Sequence, residues 1–100
     1  MSKKIIGNVN LTNLYLKRLP DILKDITVDG NFGCNYNNLT SLEGAPTNVD
    51  GDFYCDNNKL TSLVGAPKTV GGSFDCSDNP GKFTETQVRA ICDVKGDVYV

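Results

Sequence analysis

The stretch VDGNFGCNYNNLTSLEGAP, Val28 to Pro46, is written again with few changes as VDGDFYCDNNKLTSLVGAP, Val49 to Pro67. The two copies start 21 residues apart, and the same step relates Val28, Val49 and Val70, Gly30, Gly51 and Gly72, and Phe32, Phe53 and Phe74. Cys34, Cys55 and Cys76 keep the step, as do Asn37, Asn58 and Asn79, and so do the pairs Leu39/Leu60 and Leu42/Leu63 and the two Gly-Ala-Pro segments. A fixed period of this kind marks a chain built from one small unit that cannot bury its apolar face alone and relies on its neighbours to do so. Looser copies stand at both ends. Gly7, Val9, Leu11, Leu14, Leu16 and Leu19 fall over Gly51, Phe53, Cys55, Asn58, Leu60 and Leu63, while Gly96, Val98 and Val100 fall over Gly72, Phe74 and Cys76. The units are therefore about 7–29, 30–50, 51–71, 72–95 and 96–100, in one domain spanning 1–100. Degenerate end units are expected where a stack must close its core against water.

Within a unit, Phe-x-Cys alternates with period two, the mark of a strand with one face turned inward. Strands stacked at about 4.8 Å give a parallel sheet with Phe and Cys in a continuous column behind it. The expected fold is a repeat solenoid with about five short parallel strands in one sheet and a turn-rich back face. An inward Asn at 37, 58 and 79 can bond the backbone of its own and the neighbouring turn, satisfying groups that a buried bend leaves orphaned. Leu-x-x-Leu then covers the far side of the core, and Gly-Ala-Pro returns the chain to the next Val.

The wording F-x-C-x-x-N-x-L-T-S-L is similar to the leucine-rich repeat consensus, with Phe and Cys at two leucine positions. It departs from that consensus upstream, where Asp29, Asp50 and Gly71 occupy the place of the first leucine. The phrase SLEGAP followed by V-x-G-x-F-x-C resembles short repeat proteins of tailed bacteriophages, over about residues 7–79. The resemblance implies binding rather than chemistry. It further implies a phage-type accessory protein, active in host takeover or counter-defence, that docks on a host enzyme and modulates or inhibits it.

The ends carry their own signals. Thr84 and Gln87 form a capping box with Phe83 and Val88 as its staple, which predicts a helix over about 84–92 whose Val88, Ile91 and Cys92 stripe caps the Phe/Cys column. Leu19–Ile26, LPDILKDI, reads as a helical turn replacing Gly-Ala-Pro; its two extra residues lengthen the step from Gly7 to Gly30. The final strand, Asp97–Val100, has an unpaired edge, and a homodimer through it is one expectation.

Several function classes are excluded or disfavoured. The net charge is −2 and no apolar run reaches the length of a membrane span. MSKKII lacks the apolar stretch of a signal peptide, so the protein is expected in the cytoplasm (the host's, if phage-encoded) with reduced thiols. The chain contains no histidine, and no nucleophile with an activating base or phosphate-cradling loop can be assembled, so it is not expected to be an enzyme. Three cysteines in register invite a metal, but a ladder sends its thiols in parallel rather than to one point, and core packing is the better reading. Asp50, Asp52 and Asp56 lack the twelve-residue calcium pattern. No cofactor is assigned.

What remains is the outward face of the sheet. Alternation places Asn10, Gly33, Tyr54, Asp75 and Tyr99 there, flanked by Asn8, Asn31, Asp52, Ser73 and Asp97, then by Thr12, Asn35, Asp56 and Ser77, with Tyr36, Asn57 and Asp78 continuing the surface. The face is acidic, and its tyrosines can bury a ring while keeping a wet hydroxyl. The candidate partner-binding residues are Tyr36, Asp52, Tyr54, Asp56, Asp75, Asp78, Asp97 and Tyr99. Complementarity points to a basic protein surface, such as that of a nucleic-acid-handling or defence enzyme. An alternative is nucleic-acid binding through Lys3, Lys4, Lys17, Arg18 and Lys24, which leave residues 1–25 at +3 against −5 for the rest. Without interleaved aromatics that patch is weak. A third reading is a self-assembling structural module.

Overall fold

The computed structural model describes residues 3–100. Ten very short strands run in chain order: β1 (Lys3–Ile5), β2 (Val9–Asn10), β3 (Ile26–Val28), β4 (Phe32–Gly33), β5 (Asn48–Val49), β6 (Phe53–Tyr54), β7 (Thr69–Val70), β8 (Phe74–Asp75), β9 (Asp93–Val94) and β10 (Val98–Tyr99). A 3-10 turn covers Asp21–Leu23, and a helix, α1, covers Glu85–Ile91. The strands make two parallel five-stranded sheets, one ordered β1-β3-β5-β7-β9 and the other β10-β8-β6-β4-β2. The period is read out as register: Phe32 lies against Phe53 and Phe53 against Phe74, while Val28 lies against Val49 and Val49 against Val70.

The expectation of one sheet with a turn-rich back is corrected here. The residues ahead of each Asp-Gly or Gly-Gly corner, such as Asn48-Val49 and Thr69-Val70, are extended and pair with their equivalents. The corner itself swings the chain from the first sheet to the second, so that Val points inward from one wall and Phe from the other. Val28, Val49, Val70, Phe32, Phe53 and Phe74 are buried almost without remainder. Burying each Phe is worth roughly 1.5–3 kcal/mol, and the rings stack along the column with centroids 5.6 and 5.0 Å apart. The corner needs glycine: a Cβ on Gly51 would stand 2.8 Å from the Gly30 carbonyl oxygen. β1 lay outside the sequence reading altogether, because Lys3-Lys4-Ile5 carries no repeat wording; it pairs with β3 in register Ile5 to Val28.

The remaining walls follow the unit. Leu19, Leu39, Leu42 and Leu60 are fully buried, with Leu63 half-buried. Asn37, Asn58 and Asn79 are buried among them, and no buried side-chain nitrogen or oxygen of the described residues lacks a hydrogen-bond partner. In the LPDILKDI segment only Asp21–Leu23 is helical, and Ile26 already opens β3.

α1 starts on the expected capping box. The Gln87 amide donates to Thr84 Oγ1 at 3.2 Å, and the Thr84 amide donates to Gln87 Oε1 at 2.9 Å. Val88 and Cys92 enter the core, but Ile91, expected on the same stripe, is half exposed. A seven-residue helix has room for one buried turn, and Val88 and Cys92, four apart, take it. No helix among the described residues is long and apolar enough to cross a membrane.

Candidate interaction surface

The outward residues of the second sheet form the candidate site. Register aligns Asn10, Gly33, Tyr54, Asp75 and Tyr99 in one row. Beside it runs a row of polar side chains, each holding the amide of the next unit. Asn8 Oδ1 accepts from the Asn31 amide, Asn31 Oδ1 from the Asp52 amide and Asp52 Oδ1 from the Ser73 amide, all at 2.8 Å. Ser73 Oγ accepts from the Asp97 amide at 3.3 Å. Asp52 is thus structural as well as partly open to solvent.

Its other oxygen engages the central aromatic. Tyr54 Oη donates to Asp52 Oδ2 at 2.9 Å. That bond, then burial, then the charges of Asp52, Asp75 and Asp56 push the phenol up, so Tyr54 stays a neutral donor. Asp75 Oδ1 accepts from the Ser77 amide at 3.0 Å and from its hydroxyl at 2.6 Å. Asp56 Oδ2 accepts from Asn57 Nδ2 at 2.8 Å. Partial burial, seconded by the charges of Asp75 and Asp78, nevertheless raises the Asp56 carboxyl above the usual carboxylate range; the Asn57 bond works against that rise.

The margin of the face is a row in left-handed backbone conformation: Asn13 (φ 59°), Tyr36 (57°), Asn57 (55°) and Asp78 (55°). Asn and Asp tolerate this region and Tyr does so at a cost, yet Tyr36 holds it with half of its surface in solvent. Tyr36, Asn57, Lys59 and Asp78 line a shallow depression of about 360 Å³ beside the sheet. Tyr99 extends the central row beside Asp75 and is half exposed. All eight residues singled out from the sequence therefore lie on this face or its margin.

The two sheets differ in how their acids are neutralised. Beside the first sheet, Lys4 reaches Asp29 at 3.6 Å and Asp50 at 4.0 Å, and Lys95 reaches Asp93 at 3.0 Å. Asp52, Asp56, Asp75, Asp78 and Asp97 on the second sheet enter none of the ion pairs among the described residues.

No family model matches this chain, and no curated protein or solved structure matches it.

The other sequence candidates sit elsewhere. Cys34, Cys55, Cys76 and Cys92 are free and buried. Burial drives the Cys34 and Cys55 thiols far up and raises Cys76 and Cys92 to about 11. Such thiols are protonated at neutral pH and are poor nucleophiles. Of the five N-terminal bases, Lys4, Arg18 and Lys24 each lie beside acidic side chains. Lys4 is paired beside the first sheet, Arg18 meets Asp21 at 2.7 Å, and Arg18 and Lys24 border a groove of about 480 Å³ that also holds Asp21, Asp25 and Glu43. Sequence reasoning placed Asn8, Asn31, Asp52 and Ser73 in one flanking row but missed that each accepts from the next unit's amide, although the signal was present: an acceptor side chain recurs at the first position after each corner glycine.

Proposed function

We propose that this chain is a short leucine-rich-repeat-like solenoid that acts without catalysis, as a phage-type accessory protein. It docks the acidic, tyrosine-bearing second sheet on a basic surface of a host protein in the cytoplasm and inhibits it. One observation carries this reading: five carboxylates stand unpaired on one sheet while their counterparts beside the other are matched by lysines. A face that keeps like charges together stores repulsion that a cationic partner relieves, and such complementarity sets on-rate and specificity. Tyr54 sits among these charges as a rigid amphipathic anchor, the residue type over-represented at interface centres.

The test is affinity capture from host cells followed by direct titration of the identified partner. The double variant Tyr54→Ala, Asp75→Lys is expected to lose binding while its melting temperature stays close to that of the parent, and parent binding should weaken as salt rises. Unchanged binding by the double variant would remove this face as the site.

A further inference from the structure

Each unit but the last hands a fixed set of backbone groups to the unit after it. At the corner between the sheets, the carbonyls of Val28, Val49 and Val70 accept from the amides of Asp50, Gly71 and Lys95 at 2.9, 2.8 and 3.0 Å. The carbonyls of Gly7, Gly30, Gly51 and Gly72 accept from the amides of Gly30, Gly51, Gly72 and Gly96 at 2.9–3.1 Å. The equivalent carbonyls of the last unit belong to Val94 and Gly96, and they accept from a single side chain. Arg89 Nη1 donates to the Val94 carbonyl at 2.7 Å and Nη2 to the Gly96 carbonyl at 2.9 Å, while Nε is held by Glu85 at 2.8 Å. The flat guanidinium fork reproduces the two amides that a following unit supplies everywhere else.

Among the described residues the second sheet has no such plug. Val9, Phe32, Phe53 and Phe74 donate their amides to the carbonyls of Asn31, Asp52, Ser73 and Asp97. Val98 stands at the same place in β10, which is an edge strand. At the opposite edge, in β2 and the residue before it, the carbonyl of Asn8 stands where those of Asn31, Asp52, Ser73 and Asp97 stand. A second copy added in register would bring its Asn8 carbonyl to the Val98 amide. Its Ile6 and Gly7 amides would arrive at the Val94 and Gly96 carbonyls that Arg89 holds. Ile6 lies exposed at that end, three-quarters of its surface in solvent.

We propose that the β9–β10 end of one copy is a docking surface for the β1–β2 end of a second copy, and that Arg89 keeps this surface shut. The contact is heterologous, so once opened it adds copies head to tail. It stands on hydrogen-bond register alone and is independent of the host-protein reading.

Light scattering on size-fractionated protein tests it. The parent chain is expected to remain a single species, and Arg89→Ala to gain mass with concentration. Val98→Pro removes the outward amide of β10, and Asn10→Pro removes that of β2; proline is tolerated on an edge. Arg89→Ala, Val98→Pro and Arg89→Ala, Asn10→Pro should each be monomeric alone and form a one-to-one complex when mixed, because each retains the end that the other lacks. A monomeric Arg89→Ala, a parent that associates as strongly as this variant, or double variants that fail to pair on mixing would each overturn the proposal. A circular dichroism melt on every variant ensures that the masses compared are those of folded chains.

Discussion

Asn58 donates its side-chain amide to the carbonyl of Cys34, one unit earlier, at 3.0 Å. The same Nδ2 reaches the carbonyls of Cys55 and Asp56 at 3.1 and 3.2 Å, while Oδ1 accepts from the Leu39 amide at 3.1 Å. Asn79 and Asn37 repeat the arrangement one unit on either side. One buried side chain thus fastens two units at the bend where neither sheet can supply partners. Truncating it leaves several buried backbone groups unpaired, each costing about 1–3 kcal/mol. Asn58→Ala is therefore expected to lose about 3 kcal/mol in urea unfolding, and Asn58→Asp more, since a carboxylate there faces carbonyls. A loss below about 1 kcal/mol would show that water replaces the side chain at no great cost.

The acidic face makes a prediction about pH. The folded-state carboxyl of Asp56 is raised, chiefly by burial and then by Asp75 and Asp78. A raised acid destabilises the fold while it is ionised; this penalty is full above the folded pKa, shrinks as pH falls through it and is gone below the lower unfolded pKa. Asp56→Asn should therefore be more stable than the parent at neutral pH, with the difference closing as pH is lowered into the acidic range and shrinking in high salt. Denaturant midpoints of both proteins across that range measure it; a gap that widens on acidification contradicts the burial account.

Two glycines separate backbone strain from crowding. Gly7 has φ +101° and a Cβ there meets nothing within 4 Å, whereas Gly44 has φ +93° and a Cβ would stand 2.8 Å from the Leu19 carbonyl oxygen. Gly7→Ala is expected to cost about 1 kcal/mol, the strain of the left-handed conformation. Gly44→Ala should cost clearly more, because the first turn-side unit must also move away. Equal losses in thermal melts would show that the neighbouring segment yields freely.

The four thiols report on unfolding. Cys34 and Cys55 are held protonated by burial, and Cys76 and Cys92 are raised to about 11. A disulfide reagent at neutral pH is expected to modify none of them quickly in the native chain, and to modify Cys34 and Cys55 together at the rate of global opening. Rapid labelling of Cys55 alone in native buffer would mean that the column opens locally.

The unit and the rows it generates were legible because equal spacing forces equal environment: once Phe32 is inward, Phe53 and Phe74 are too. That logic alone places Tyr54, Asp75 and Tyr99 in one outward row, and the capping box at Thr84 and Gln87 announces α1 from local chemistry. The first sheet was not legible. Its strands are mostly two residues long, too short to show alternation, and β1 has no repeat wording. Ile91 was misplaced because a seven-residue helix offers two candidate faces, and only the space left by the last unit selects between them. Arg89 gave no sign, since an arginine in the last turn of a short helix reads as an ordinary surface charge.

The amino-acid sequence by itself determined which residues are equivalent, and therefore which side chains share a row, because a period is a property of the chain. Only the tertiary structure decided what those rows meet. Pairing between units turned a corner of Val, Asp and Gly into a second wall, left five carboxylates on or beside one sheet outside the ion pairs of the described residues, and set the Arg89 fork on two carbonyls. Those outcomes depend on distances between segments that the linear chain does not bring together, such as Val49 with Val70 and Lys4 with Asp50, and such distances exist only once hydrogen bonding has put one unit on the next.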